Sequence, residues 1–127
     1  MGIGVKKKNP FTEAYQNNVD ENSSSRQIVI TTSVDITTNT LGGNGRGQNA
    51  KNVVLDNGVN DINLSVNTSD NFLASYLKKG IGAITFVQGA GRSLIEVDGT
   101  NILNGVAGST ASISSIGTTD YLRISNA

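Results

Sequence analysis

The chain has 127 residues, ten basic against ten acidic, and only 16% are charged, compared with roughly 25% in an average domain. That length fits one domain with an appended arm, and a neutral chain exerts no long-range pull on nucleic acid. Cysteine and histidine are absent, which excludes disulfides, thiolate metal sites and the common Ser–His and Cys–His nucleophile–base pairs.

Residues 1–25 differ from the rest. "MGIGVKKKNP" carries basic residues with no apolar run after them, so no secretory signal is expected there. No stretch of the chain approaches the roughly 20 apolar residues of a membrane span. Lys6, Lys7 and Lys8 stand together, Asn9-Pro10 marks a turn, and Phe11 and Tyr15 precede the polar run "NNVDENSSS". Such a segment holds too little apolar surface to offset the entropy of ordering. We read it as an extended N-terminal attachment arm, with residues 26–127 as the β domain. Phe11 and Tyr15 are the expected anchors, Pro10 fixes the local backbone, and Lys6 to Lys8 reach acidic groups on a partner.

In the β domain the place of charge is taken by uncharged polar residues. The whole chain holds 16 Asn, 15 Gly, 13 Ser and 12 Thr, which suits polar strand faces and tight turns. "RQIVITTSVDIT" alternates with Ile28, Ile30, Thr32, Val34 and Ile36 on one parity, predicting one long half-buried strand. "LGGNGRGQN" has four glycines in nine residues and reads as a mobile loop. "NVVL" is a short strand closed by Asp56-Asn57-Gly58. "DINLSVN" places Ile62, Leu64 and Val66 inward. "SDNFLASYLKKG" has helical spacing: Phe72, Leu73, Tyr76 and Leu77 share a face, Ser69 or Asp70 caps the start, and Gly80 closes the end. One short helix is predicted there. Four further strands follow, "AITFVQ", "SLIEV", "TASISSI" and "YLRIS", with turns at Gly89 and Gly91, Asp98-Gly99, Gly105 and Gly108, and Gly117. Short strands punctuated at this spacing predict an all-β antiparallel sandwich or barrel, jelly-roll-like.

The glycines of "GAITFVQGAGRSLIEVDG" raise the question of a phosphate loop. A dinucleotide fingerprint needs a strand before its glycines and a helix after them. Here "RSLIEV" follows, short and β-branched, so we expect a hairpin turn. "GGNGRG" at 42–47 fails the same test. Glu96, Asp98, Asp56 and Asp61 are the available carboxylates, each with a plain role in a turn or on a solvated face. Asp56, Asn60 and Asp61 offer oxygen ligands, but their spacing matches no calcium loop. No catalytic residue, metal or cofactor is expected.

From "LDNGVNDINLSV" through "GIGAITFVQGAGRSLIEVDGTNILNG" to "GSTASISSIGTTDYLRISNA", about residues 52–127, the chain resembles a family of bacteriophage structural domains. These occur in tail fibres, head fibres and capsid decoration proteins. The shared order is a strand ending Val-Gln, then Gly-Ala-Gly, a strand and turn, a small-residue segment, a strand ending Ile-Gly, and a final strand. That family often carries Trp in the last strand, where this chain has Tyr121. The resemblance implies a β-sandwich or barrel module of virion architecture, without catalytic residues, present on the virion after synthesis in the bacterial host cytoplasm. It points to a capsid decoration or head-fibre component held by its arm, with other virion proteins as partners: the major capsid protein, or fibre and collar neighbours. The alternative is a tail-fibre module binding a host glycan or surface protein. Neither nucleic acid nor membrane is an expected partner. A homo-oligomer is expected, a trimer first, with Val29, Val54, Val87, Leu94, Ile116 and Tyr121 assigned to the side away from the core as contact candidates.

Overall fold

The computed structural model describes residues 26–40 and 47–127. The arm assigned to residues 1–25 and residues 41–46 of the glycine-rich loop lie outside the described residues.

Ten strands follow one another: β1 (Gln27–Thr31), β2 (Ile36–Thr37), β3 (Lys51–Asp56), β4 (Ile62–Val66), β5 (Leu73–Lys78), β6 (Ile84–Gln88), β7 (Ser93–Glu96), β8 (Ile102–Leu103), β9 (Thr110–Ile116) and β10 (Thr119–Ser125). They build two sheets, one ordered β1-β3-β5-β9-β10-β7 and the other β2-β4-β6-β8. From β1 to β6 the chain changes sheet at every step. β1, β3 and β5 run parallel in one sheet, and β2, β4 and β6 run parallel in the other. Gln27 pairs with Asn52, and Asn52 with Ser75, so successive coils advance 25 and then 23 residues. This is the stacking of a β-solenoid, in which each coil rests on its neighbour. The winding then stops. β9 pairs antiparallel with β5, β10 folds back on β9, and β8 pairs antiparallel with β6.

The prediction of an antiparallel sandwich or barrel is therefore corrected: the chain is all-β, but its first six strands form parallel, solenoid-like coils. The predicted short helix is also corrected, and no helix occurs among the described residues. Residues 73–78 form β5, with Phe72, Ala74, Tyr76 and Lys78 inward and buried. Backbone pairing to β3 on one side and β9 on the other outweighs the local spacing, because helix propensity is a weak prior against tertiary contacts. The single long strand predicted over residues 27–36 is divided. Thr32 Oγ1 accepts the Val34 N–H at 3.1 Å and donates to the Val34 carbonyl at 3.0 Å. That local bend sends β2 into the other sheet and leaves Val34 exposed. Gln48, read from sequence as part of a mobile loop, is buried. It accepts the Tyr76 hydroxyl at 2.8 Å and donates to the carbonyls of Thr37 and Thr40.

Side chains stack in register between the sheets. Ile28, Val53, Tyr76, Ala111 and Ile124 form one row, and Ile62, Ile84 and Leu103 form a facing one. All are buried, and the core runs the length of the stack.

The expected hairpin at residues 84–96 is absent. β6 lies in the four-stranded sheet and β7 in the six-stranded one, parallel to β10. The Gly89–Arg92 turn is an arc between sheets. A Cβ on Gly89 would overlap the Val66 carbonyl oxygen of the coil beneath. Gly89→Ala is accordingly expected to cost at least about 1–3 kcal/mol, as overpacking against fixed backbone does. Urea unfolding measures this, and a cost near zero would mean that the arcs are not in contact.

Candidate functional site

Two features of the stack stand out: a buried charged cluster at one end, and an apolar stripe on the outer face of the six-stranded sheet.

The cluster gathers residues from four segments. Strand alternation turns Asp120 of β10 inward, between Leu94 of β7 and Ser115 of β9. Its carboxylate is fully buried. Arg92, from the arc after β6, meets it with a paired fork: Nε to Oδ2 and Nη2 to Oδ1, both at 2.9 Å. The same Nη2 donates to the Gly117 carbonyl at 3.0 Å. Thr68, from the arc after β4, donates its hydroxyl to Oδ1 at 2.6 Å, and Ser115 donates to the same oxygen. Gly117 N–H in turn donates to Asp70 Oδ1 at 2.7 Å.

Burial pushes the Asp120 carboxyl up. The hydrogen bonds from Arg92, Ser115 and Thr68, with the charge of Arg92, outweigh that and hold it below the usual carboxylate range. Both hydroxyls of the cluster spend their protons on a carboxylate already held by a guanidinium. The arrangement acts as a lock joining the β4 arc, the β6 arc and the β9–β10 hairpin.

Fork-shaped pairing needs arginine, whose planar donors match a carboxylate. Sequence reading missed Arg92, Asp120, Thr68 and Ser115, because residues 28 and 52 positions apart carry no spacing signal. The only available cue was an acidic residue on the inward parity of a strand.

The outer stripe follows from register. Leu73, Ser114, Tyr121 and Ile95 align across β5, β9, β10 and β7. Leu73, Ile95 and Tyr121 are 57%, 45% and 38% exposed, and Ile116 nearby on β9 is 68% exposed. The contact candidates from sequence separate here. Ile116 and Tyr121 belong to this stripe. Val29 is exposed on the edge strand β1, in register with Val54, which is buried. Val87 is exposed on the other sheet. Leu94, outward by the sequence parity, turns inward and packs on the core. Ile95 takes the outward place, because the side-chain period of two makes a parity error move the whole strand face. Lys6, Lys7, Lys8, Pro10, Phe11 and Tyr15 lie outside the described residues.

Among the carboxylates considered from sequence, Asp56 accepts Gly58 N–H, Asp61 accepts Ala83 N–H, and Asp98 accepts Ile124 N–H. Asn60 donates to the Asn57 carbonyl. Among the described residues, no three Asp and Glu gather to hold a metal ion.

These features define a structural class, an all-β stack of parallel coils closed by an antiparallel end. No protein-family model, curated protein or solved structure matches the chain.

Proposed function

We propose that the chain is a structural protein of a bacteriophage virion, a capsid decoration or head-fibre component attached through residues 1–25. The observation that carries this reading is the outer stripe: Leu73, Tyr121, Ile95 and Ile116 expose apolar surface on a face they share with Ser112, Ser114, Arg123 and Ser125. Large exposed apolar groups rimmed by polar residues mark an interaction face, and here only Ser114 separates Leu73 from Tyr121 along the row. On this reading the stripe packs against further copies, three in the assembled form, or against virion neighbours. The stack holds it rigid. The alternative, glycan binding, has less support. Of the described aromatic residues Phe72, Tyr76, Phe86 and Tyr121, only Tyr121 is exposed, which leaves little ring surface for sugar stacking.

The test separates arm from stack. Deleting residues 1–25 is expected to leave the far-ultraviolet β signature and the urea midpoint intact while abolishing co-sedimentation with particles assembled without the protein. Light scattering of the full chain at tens of micromolar is expected to report a trimer. A truncated chain that sediments as well as the full one would put attachment in the stack. A monomer would remove the trimer.

A further inference from the structure

β1 is an edge strand of the six-stranded sheet. Among the described residues it pairs with β3 and with no other strand. The ends of that pairing fix which backbone groups it uses. The Arg26 carbonyl accepts Asn52 N–H at 2.7 Å, and Thr32 N–H donates to the Asp56 carbonyl at 3.0 Å. Backbone groups alternate sides along a strand, so Arg26, Ile28, Ile30 and Thr32 face β3, while the N–H and C=O of Gln27, Val29 and Thr31 point off the edge. Natural edges are blunted by charge, proline or a bulge. "QIVIT" carries no charge and no proline, and it stays in register with β3 at every position. Side-chain bonds also run to this edge: Ser75 Oγ donates to Asn52 Oδ1 at 3.0 Å, and Asn52 Nδ2 to Gln27 Oε1 at 3.4 Å.

We propose that β1 pairs with β1 of a second copy, antiparallel about a two-fold axis through Val29. The strand is self-complementary in this register. Val29 opposes Val29 and Gln27 opposes Thr31, each a pair whose off-edge N–H and C=O groups meet. Ile28 then lies beside Ile30 of the other copy, both inward, so the buried rows continue across the junction. Outward, Val29 extends the row it forms with Val54. Parallel pairing through the same edge would turn one copy's inward face outward, and burial of Ile28 and Ile30 forbids that. The contact is isologous and closes on itself, so it adds one copy and starts no filament.

One strand of five residues per copy covers far less than the roughly 1,200 Å² of a stable interface. The pairing is therefore weak: absent at tens of micromolar, present at millimolar concentration or where copies crowd on a surface. It lies at the opposite edge of the sheet from β7, so it requires neither the outer stripe nor a trimer.

The chain contains no cysteine, so single cysteines report the register. Under mild oxidation at millimolar concentration, Val29→Cys is expected to form a disulfide-linked pair, because opposed residues of this kind stand about 5.5 Å apart, within disulfide reach. Gln27→Cys and Thr31→Cys are each expected to stay unlinked alone, their copies standing about 14 Å apart, and to link when mixed. All three side chains are exposed, so the variants keep the stack. Sedimentation equilibrium of the parent at millimolar concentration is expected to give twice the mass found at tens of micromolar, whatever that mass is. Val29→Lys, which sets two like charges on the axis, is expected to stay at the lower mass. A parent mass constant over this range overturns the proposal, as does self-linking of Gln27→Cys, which would signal another register. Doubling that appears only after deletion of residues 1–25 also overturns it, and would give the edge to the chain's own arm. Should a variant fail to fold, the parent's mass decides alone.

Discussion

Asp120→Asn is expected to lower stability by about 3 kcal/mol at neutral pH, the low end for breaking a buried ion pair. Asparagine keeps the shape and one acceptor for Ser115 or Thr68. It removes the charge opposite Arg92, whose side chain is only 10% exposed. The desolvated guanidinium then lacks its counterion, and that unpaired charge accounts for most of the cost.

The pH dependence follows from the same pair. A carboxyl held low in the folded chain stabilises it above the unfolded value of about 3.9, and this contribution is lost as pH falls through the folded value. Since Asp120 is held low, the parent should lose stability below about pH 4, while Asp120→Asn should lack this component. Urea midpoints at neutral and acid pH measure both effects, provided the slopes agree. An asparagine variant within about 0.5 kcal/mol of the parent at neutral pH would place the lock among ordinary surface contacts.

Phe86→Ala is expected to cost about 3–5 kcal/mol, the usual range for emptying a large aromatic site in a core. Phe86 is fully buried in β6. Its ring meets Tyr76 of the opposite sheet edge-on, with centroids 5.6 Å apart and planes at 71°, a geometry that adds about 0.5–1.5 kcal/mol beyond burial. The loss would spread. Tyr76 holds Gln48, and Gln48 holds the Thr37 and Thr40 carbonyls, so the cavity weakens the support of the first coil. The same urea series with Phe86→Leu should recover much of the loss. A cost for Phe86→Ala below about 1 kcal/mol would mean the two sheets do not pack through this ring.

Much of the local structure is legible in the sequence. The alternation of "DINLSVN" correctly places Ile62, Leu64 and Val66 inward. The strands "AITFVQ", "TASISSI" and "YLRIS" lie where their β-branched residues predict. The "SDNFLASYLKKG" reading fails because Phe72, Leu73, Tyr76 and Leu77 fit a helical face while Phe72, Ala74, Tyr76 and Lys78 fit a strand face. The small Ala74 and charged Lys78 hide the second pattern. The candidate stripe is half legible, since Ile116 and Tyr121 are visible by parity, whereas Leu73 and Ile95 are hidden by the helix and parity errors. The Arg92–Asp120 lock is not legible, as its members meet only when the arcs and the hairpin converge.

By itself the sequence determined that this protein is all-β, where most strands begin and end, and where the chain turns. These are local properties: side-chain alternation, β-branching and glycine each act within a few residues. Only the tertiary structure decided which strands are neighbours. Period two says that a residue changes faces, and it is silent on whether the next strand folds back beside its predecessor or crosses to another sheet. The crossing is set by the arcs. Thr32 bends the chain after β1, and Gly89 lets one arc rest on the coil below. The coil repeat stays hidden because stacking requires only matching size and polarity across a row. Val53 can lie beside Tyr76, and Leu55 beside Lys78, without the residues resembling each other.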